Sequence, residues 1–178
     1  MPERDAIIGK LAKERERLEE HFRSLSADDL VCACTQSEAE DGAPWSAKDH
    51  IAHLAMIERA FQGMIRRHLS GEKDPVGLDF SGASRAEVIA RVHKGNEDNV
   101  REHKDDDIDT LFADLDAARA DTLALIGELT DEQLATPLPG APWADGTIGG
   151  VLMTNAYHAI QHWQWVEEGL GAEKANAG

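Results

Sequence analysis

His158 and His162 stand four residues apart in the segment Asn155-Ala-Tyr-His-Ala-Ile-Gln-His-Trp. On a helix that spacing places the two rings one turn apart on one face, where both can reach a common ion. An advance of 100° per residue puts Ile148, Val151, Leu152, Asn155, Ala159, His162 and Val166 on one stripe, with His158 at its edge. A third imidazole, His53, shares a helical face with Ile57, Ala60 and Met64. Two facing helices would then offer three nitrogen ligands at ~2.0–2.1 Å and leave a fourth position open, the arrangement of catalytic rather than structural zinc. Each part alone has a plainer reading: a histidine pair on a solvated face, or a core histidine hydrogen-bonded to a neighbour. Only the combination points to a metal. Three neutral imidazoles leave the full double charge on zinc or nickel, so a water or thiol bound there becomes a nucleophile near neutral pH.

Other polar residues near these stripes have competing roles. The Asn155 amide, one turn before His158, is expected either to orient a bound ligand or to satisfy core backbone groups. Asp49 is expected to cap a helix with Ser46 rather than to orient His53. His50 is expected as a surface residue near a helix start, ahead of roles as a ligand's partner or an alternative ligand. Glu58 points away from the His53 stripe and is expected in solvent, as are His21, His68, His93 and His103. Cys32 and Cys34 are too close for an ordinary structural bridge, and local packing is expected for both. Trp45, Trp143, Trp163 and Trp165 could line a pocket mouth, the core or a dimer surface.

Helices must position these groups. Ile7, Leu11, Leu18, Phe22 and Leu25 predict an amphipathic helix over residues 4 to about 25. Ser26 caps a short segment extending to about residue 34. A loop rich in glycine and acids runs to residue 43, and Pro44-Trp45-Ser46 opens a long helix ending near residue 70. Ser84 and Glu87 open a weaker helix that fades between residues 94 and 104. Ile108, Leu111, Leu115, Ala118, Thr122, Leu125 and Leu129 alternate spacings of three and four, the seam of a bundle helix. Thr130 and Gln133 cap a short turn, Pro137 and Pro142 interrupt the chain, and a last helix spans residues 147 to about 169. No period-two alternation predicts a strand. The expected class is all-α: a four-helix bundle with additional short helices, one domain over residues 1–178, and a disordered tail from about residue 171.

The chain has 18 basic and 34 acidic residues in 178, a net charge of −16. That balance argues against nucleic acid and anionic membrane surfaces as partners. No run of about 18 apolar residues and no secretory start are seen, so a soluble cytoplasmic protein is expected, with a homodimer through aromatic helix faces as one option.

The segment Trp45-Ser-Ala-Lys-Asp-His-Ile-Ala-His53-Leu resembles the tryptophan-to-histidine signature of the DinB-like superfamily. That superfamily includes mycothiol-dependent maleylpyruvate isomerases and bacillithiol transferases. Asn155-Ala-Tyr-His158-Ala-Ile-Gln-His162-Trp-Gln-Trp165 is similar to the branch named for ClbS and DfsB, which carries a His-x-x-x-His pair in its last helix. The resemblance implies a DinB-like bundle, with metal ligands at His53, His158 and His162. It also implies a divalent cofactor, zinc or nickel, and a small electrophilic substrate attacked by water or by a low-molecular-weight thiol, in detoxification or self-protection. The maleylpyruvate isomerases carry Glu where this chain has His158, so their activity is not implied. A non-catalytic binding bundle, or a structural dimer whose metal site is empty, is the alternative.

Overall fold

The computed structural model describes residues 3–37, 39, 42–77, 82 and 84–176. Helices α1 (Arg4–Arg23), α3 (Ala47–Leu69), α5 (Ile108–Glu128) and α7 (Ile148–Asn176) form the bundle. α4 (Arg85–Glu102) lies against α3, and α2 (Ala27–Val31) and α6 (Asp131–Ala135) are single short turns. α1 packs along α7 and α3 along α5, while α3 also meets α7 and so joins the two pairs. The all-α expectation holds.

The apolar stripes bury as their periodicity requires, but in two separate clusters. One gathers Ile7, Leu11, Phe61, Ile65, Leu125, Ile126, Ile148 and Leu152. The other gathers Leu18, Phe22, Ile51, Leu54, Leu111, Leu115, Val166 and Leu170. Between them in chain position on α1, α3 and α5 come buried polar residues: Glu14 and Arg15 on α1, Glu58 on α3, and Arg119 and Thr122 on α5, while on α7 the buried Asn155 falls within the first cluster's span. Gln62 Nε2 donates to the Ala118 carbonyl at 2.7 Å and to Thr122 Oγ1 at 2.8 Å, closing this layer where α3 meets α5.

Glu58 departs from expectation, because it is 2% exposed rather than solvated. Arg119 donates to it through Nε (2.6 Å) and Nη2 (3.0 Å) and spends Nη1 on the Leu11 carbonyl (2.6 Å). A helical projection counted on apolar residues misplaces a carboxylate whose partner comes from another helix. The guanidinium fork satisfies both oxygens.

Other boundaries follow from local chemistry. Asp49 Oδ2 accepts from the Ser46 N–H (2.7 Å) and from its hydroxyl (2.8 Å), fixing the start of α3 as expected. α4 stays helical through most of the stretch in which it is expected to fade and ends at Glu102. Its polar second half is held by Asp98, which accepts from Lys94 (2.7 Å) and Arg101 (3.1 Å), and by burial of Asn96 and Val100. α7 continues through residues 171–176 rather than ending at Gly169.

A two-stranded antiparallel sheet was not expected. β1 (Ala33–Thr35) pairs with β2 (Trp45–Ser46), Ala33 opposite Ser46 and Thr35 opposite Trp45. Strands of three and two residues are too short to show a period of two. β1 lies directly on α7, where a Cβ at Gly169 would stand 1.8 Å from the Cys34 carbonyl oxygen. Only glycine permits that approach. Gly169→Ala is therefore expected to displace β1 and cost about 1–3 kcal/mol, read as a lower urea midpoint; an unchanged midpoint would contradict the contact. Glycine also serves contact at the start of α7, where a Cβ at Gly149 would meet the Leu134 carbonyl at 3.2 Å.

Candidate metal centre

α3 and α7 bring the three predicted imidazoles together. One ligand nitrogen from each of His53, His158 and His162 lies within 4.8 Å of the others. The His158 and His162 Nε2 atoms are 2.8 Å apart, as their one-turn spacing implies. Ring centroids of His53 lie 5.3 Å from His158 and 4.9 Å from His162. His53 is buried and its Nδ1 has no hydrogen-bond partner. A buried ring nitrogen left unpaired costs free energy, and it leaves the His53 imidazole uncommitted to any other group.

His50 joins the group and corrects the surface expectation: it is 1% exposed. Its Nδ1 lies 2.6 Å from His162 Nδ1, and its Nε2 lies 2.9 Å from Thr35 Oγ1 on β1. For His162 Nε2 to present a lone pair, its Nδ1 must carry the proton and donate it to His50 Nδ1. His50 then carries its own proton on Nε2, facing the Thr35 hydroxyl. That chain fixes tautomer and ring orientation, the usual service of a ligand's hydrogen-bond partner. The i, i+3 spacing from His53 was the sequence signal for His50; Thr35, on an unforeseen strand, left none.

Burial keeps these rings neutral. It pushes His50 and His158 down to about 4 and His53 to about 3, and it lowers His162 as well, with the charge of neighbouring imidazoles adding to the effect at His50, His53 and His162. Neutral imidazole is the form that binds metal. The unfolded chain takes up protons near pH 6.5 while the folded chain resists until about pH 4, so metal-free protein should lose stability as pH falls through that window. The expected slope is ~1.4 kcal/mol per pH unit for each histidine held neutral, measured by urea unfolding between pH 7 and 5; a flat profile would contradict this burial.

The imidazoles form one wall of a cavity of about 520 Å³. Trp45 and Trp165 line it with them, and Cys34, Thr35, Gln36, Glu168 and Gly169 complete the lining. The Trp45 ring lies 5.4 Å from His50 and 5.1 Å from His53, and its Nε1 donates to Glu97 of α4 at 2.8 Å. The Trp165 ring lies 4.9 Å from His162. The other two tryptophans pack elsewhere: Trp143 against Phe61, and Trp163 against Phe22 and, stacked at 4.3 Å, His21. Burial, chiefly, pushes the Cys34 thiol up to about 11, which leaves it protonated and a poor nucleophile at neutral pH.

Asn155 is buried but does not line this cavity. It sits behind His158, beside Arg15, Glu58 and Arg119, with its Nδ2 unpaired. That position keeps the amide out of the histidine cavity.

The comparisons agree with this architecture. The chain is similar to the crystal structure of the colibactin self-resistance protein ClbS in complex with double-stranded DNA: TM-score 0.67, 15% identity, 93% of this chain and 94% of that one covered. It is also similar to an uncharacterised protein from Escherichia coli UTI89: TM-score 0.57, 14% identity, 96% and 94% covered. No curated protein sequence matches it. The first likeness overturns the exclusion of nucleic acid drawn from net charge, because a protein of this fold was crystallised on duplex DNA. Net charge sums the whole surface, whereas phosphates are met by a few basic residues on one face. Among the described residues no helix is long and apolar enough to cross a membrane. The family described as the DinB superfamily matches residues 10–166, and the chain belongs to it.

Proposed function

We propose that this protein is a metal-dependent enzyme acting on a small electrophilic substrate in detoxification or self-protection, with His53, His158 and His162 holding zinc or nickel. The observation that carries the proposal is the convergence of three neutral imidazoles, one with an unpaired buried nitrogen, on the wall of a 520 Å³ cavity. A divalent ion there supplies Lewis acidity, which brings deprotonation of a water or a low-molecular-weight thiol near neutral pH. The chain's own residues do the rest. His50 and Thr35 hold His162 in the tautomer that offers Nε2, Trp45 and Trp165 shield the imidazoles from bulk water, and Asn155 stands behind His158.

The test is incubation of metal-loaded protein with an epoxide and an activated aryl ester, each with and without a thiol, and product analysis by mass spectrometry. Hydrolysed or thiol-substituted product, absent with His162→Ala, is expected. Unchanged compound held by the protein would replace the enzyme with a sequestering bundle. His50→Phe, which keeps a ring but cannot accept from His162, should weaken metal binding about 10–100-fold in competition with a chelator, while His50→Gln retains most of it. Equal affinity in the phenylalanine variant would remove His50 from the site.

A second reading takes duplex DNA as a partner. α4 carries four basic residues (Arg85, Arg91, Lys94, Arg101) against four acidic (Glu87, Glu97, Asp98, Glu102), so it is neutral in a chain of −16. Lys94, Arg101 and Lys104 line a groove of about 1,100 Å³ beside Pro44 and Trp45, together with Asp49, Glu97 and Asp98. Anisotropy of a labelled duplex should rise at low salt and fall when all three are changed to Glu; no rise at 50 mM salt would exclude this reading.

A further inference from the structure

Every lysine and arginine of the sequence is among the described residues, and none of them lines the histidine cavity. A site built for a carboxylate or phosphate presents a guanidinium, an ammonium or a cluster of backbone N–H groups to it. Among the described residues the carboxylate in this lining is Glu168 instead. Among the described residues no lysine or arginine stands within ion-pair distance of it, so its charge is open to a ligand. Two indoles, Trp45 and Trp165, stand in the lining beside Cys34, Thr35, Gln36 and Gly169, and indole faces are electron-rich and attract cations. Trp45 lies against His50 and His53, and Trp165 against His162, so a ligand beside the imidazoles also lies beside the indoles. Glu168 follows His162 by six residues on α7, which places it roughly 9 Å further along the helix axis.

We infer that this cavity takes a flat apolar ligand whose far end, about two rings away from the imidazoles, is a cationic nitrogen held at Glu168, and that it rejects ligands carrying an anion there. The inference deepens the proposed function by naming its substrate class, and it rests on that reading only for calling the ligand a substrate. It also bears on the nucleophile. A thiol compound bearing carboxylates meets the same opposition from Glu168, which leaves water or an uncharged or cationic thiol as the co-reactant.

The test compares biphenyl-4-ylmethylammonium with biphenyl-4-carboxylate, one body with opposite ends, by calorimetry on protein stripped of metal with EDTA. The salt is 150 mM, so that the general field of the acidic surface is screened. The ammonium probe should bind about tenfold or more tighter than the carboxylate. Glu168→Gln should bring the two within about twofold, and Trp165→Ala should weaken the ammonium probe. Glu168 is exposed, so its substitution leaves the fold intact, which an unchanged melting temperature verifies. A carboxylate probe that binds as well, a preference that survives Glu168→Gln, or no binding of either probe overturns the inference. Because the protein carries no ion in this experiment, failure of the metal reading does not alter its outcome.

Discussion

Glu58→Ala is expected to destabilise the protein by about 3–5 kcal/mol, the cost of leaving a buried charge without its partner. Arg119 is 7% exposed, and the substitution removes the carboxylate that accepts from both Nε and Nη2. Nη1 would still reach the Leu11 carbonyl, but one neutral acceptor does not compensate a desolvated guanidinium. The double variant Glu58→Met with Arg119→Met should recover most of the loss, since well-packed apolar groups of similar volume replace buried ion pairs at little cost. Urea unfolding reads both, as a lowered midpoint in the single variant that largely returns in the double. A loss under about 1 kcal/mol for Glu58→Ala would mean that the pair behaves as a solvated surface bridge.

Added zinc or nickel is expected to stabilise the wild-type protein and to leave His162→Ala nearly unmoved. An ion that binds the folded chain alone contributes about 2.7 kcal/mol at a hundred times its dissociation constant. His162 is the histidine to remove because it meets the other three: Nε2 faces His158, Nδ1 faces His50, and its ring lies 4.9 Å from His53. Thermal or urea unfolding with and without the ion decides the matter. Equal stabilisation of wild type and variant would place the ion elsewhere, for example on exposed carboxylates.

The fold was legible where burial follows a period. The alternating threes and fours from Ile108 to Leu129 gave α5, and the capping boxes at Ser46, Ser84 and Thr130 gave three helix starts. The histidine cluster was legible because His158 and His162 share a turn and His53 shares an apolar stripe, so three points could be placed on two faces before the faces were brought together. What escaped depends on partners distant in sequence. Glu58 is buried because Arg119, sixty-one residues away, reaches it. Thr35 reaches His50 because a three-residue strand packs on α7 at a glycine, and no local pattern announces such a strand. α4 continued past its apolar run at Val88, Ile89 and Val92 because the pairs of Asp98 with Lys94 and Arg101, and burial of Val100, support its second half. Net charge misled about nucleic acid for a related reason: it is a sum without a place.

The central claim is that His53, His158 and His162 hold a divalent ion. Elemental analysis of protein purified without an affinity-metal column, beside the variant with all three histidines changed to alanine, tests it most directly. About one equivalent of zinc or nickel in the wild type and none in the variant is the predicted result. No metal in either after incubation with both ions, or equal metal in both, would contradict it.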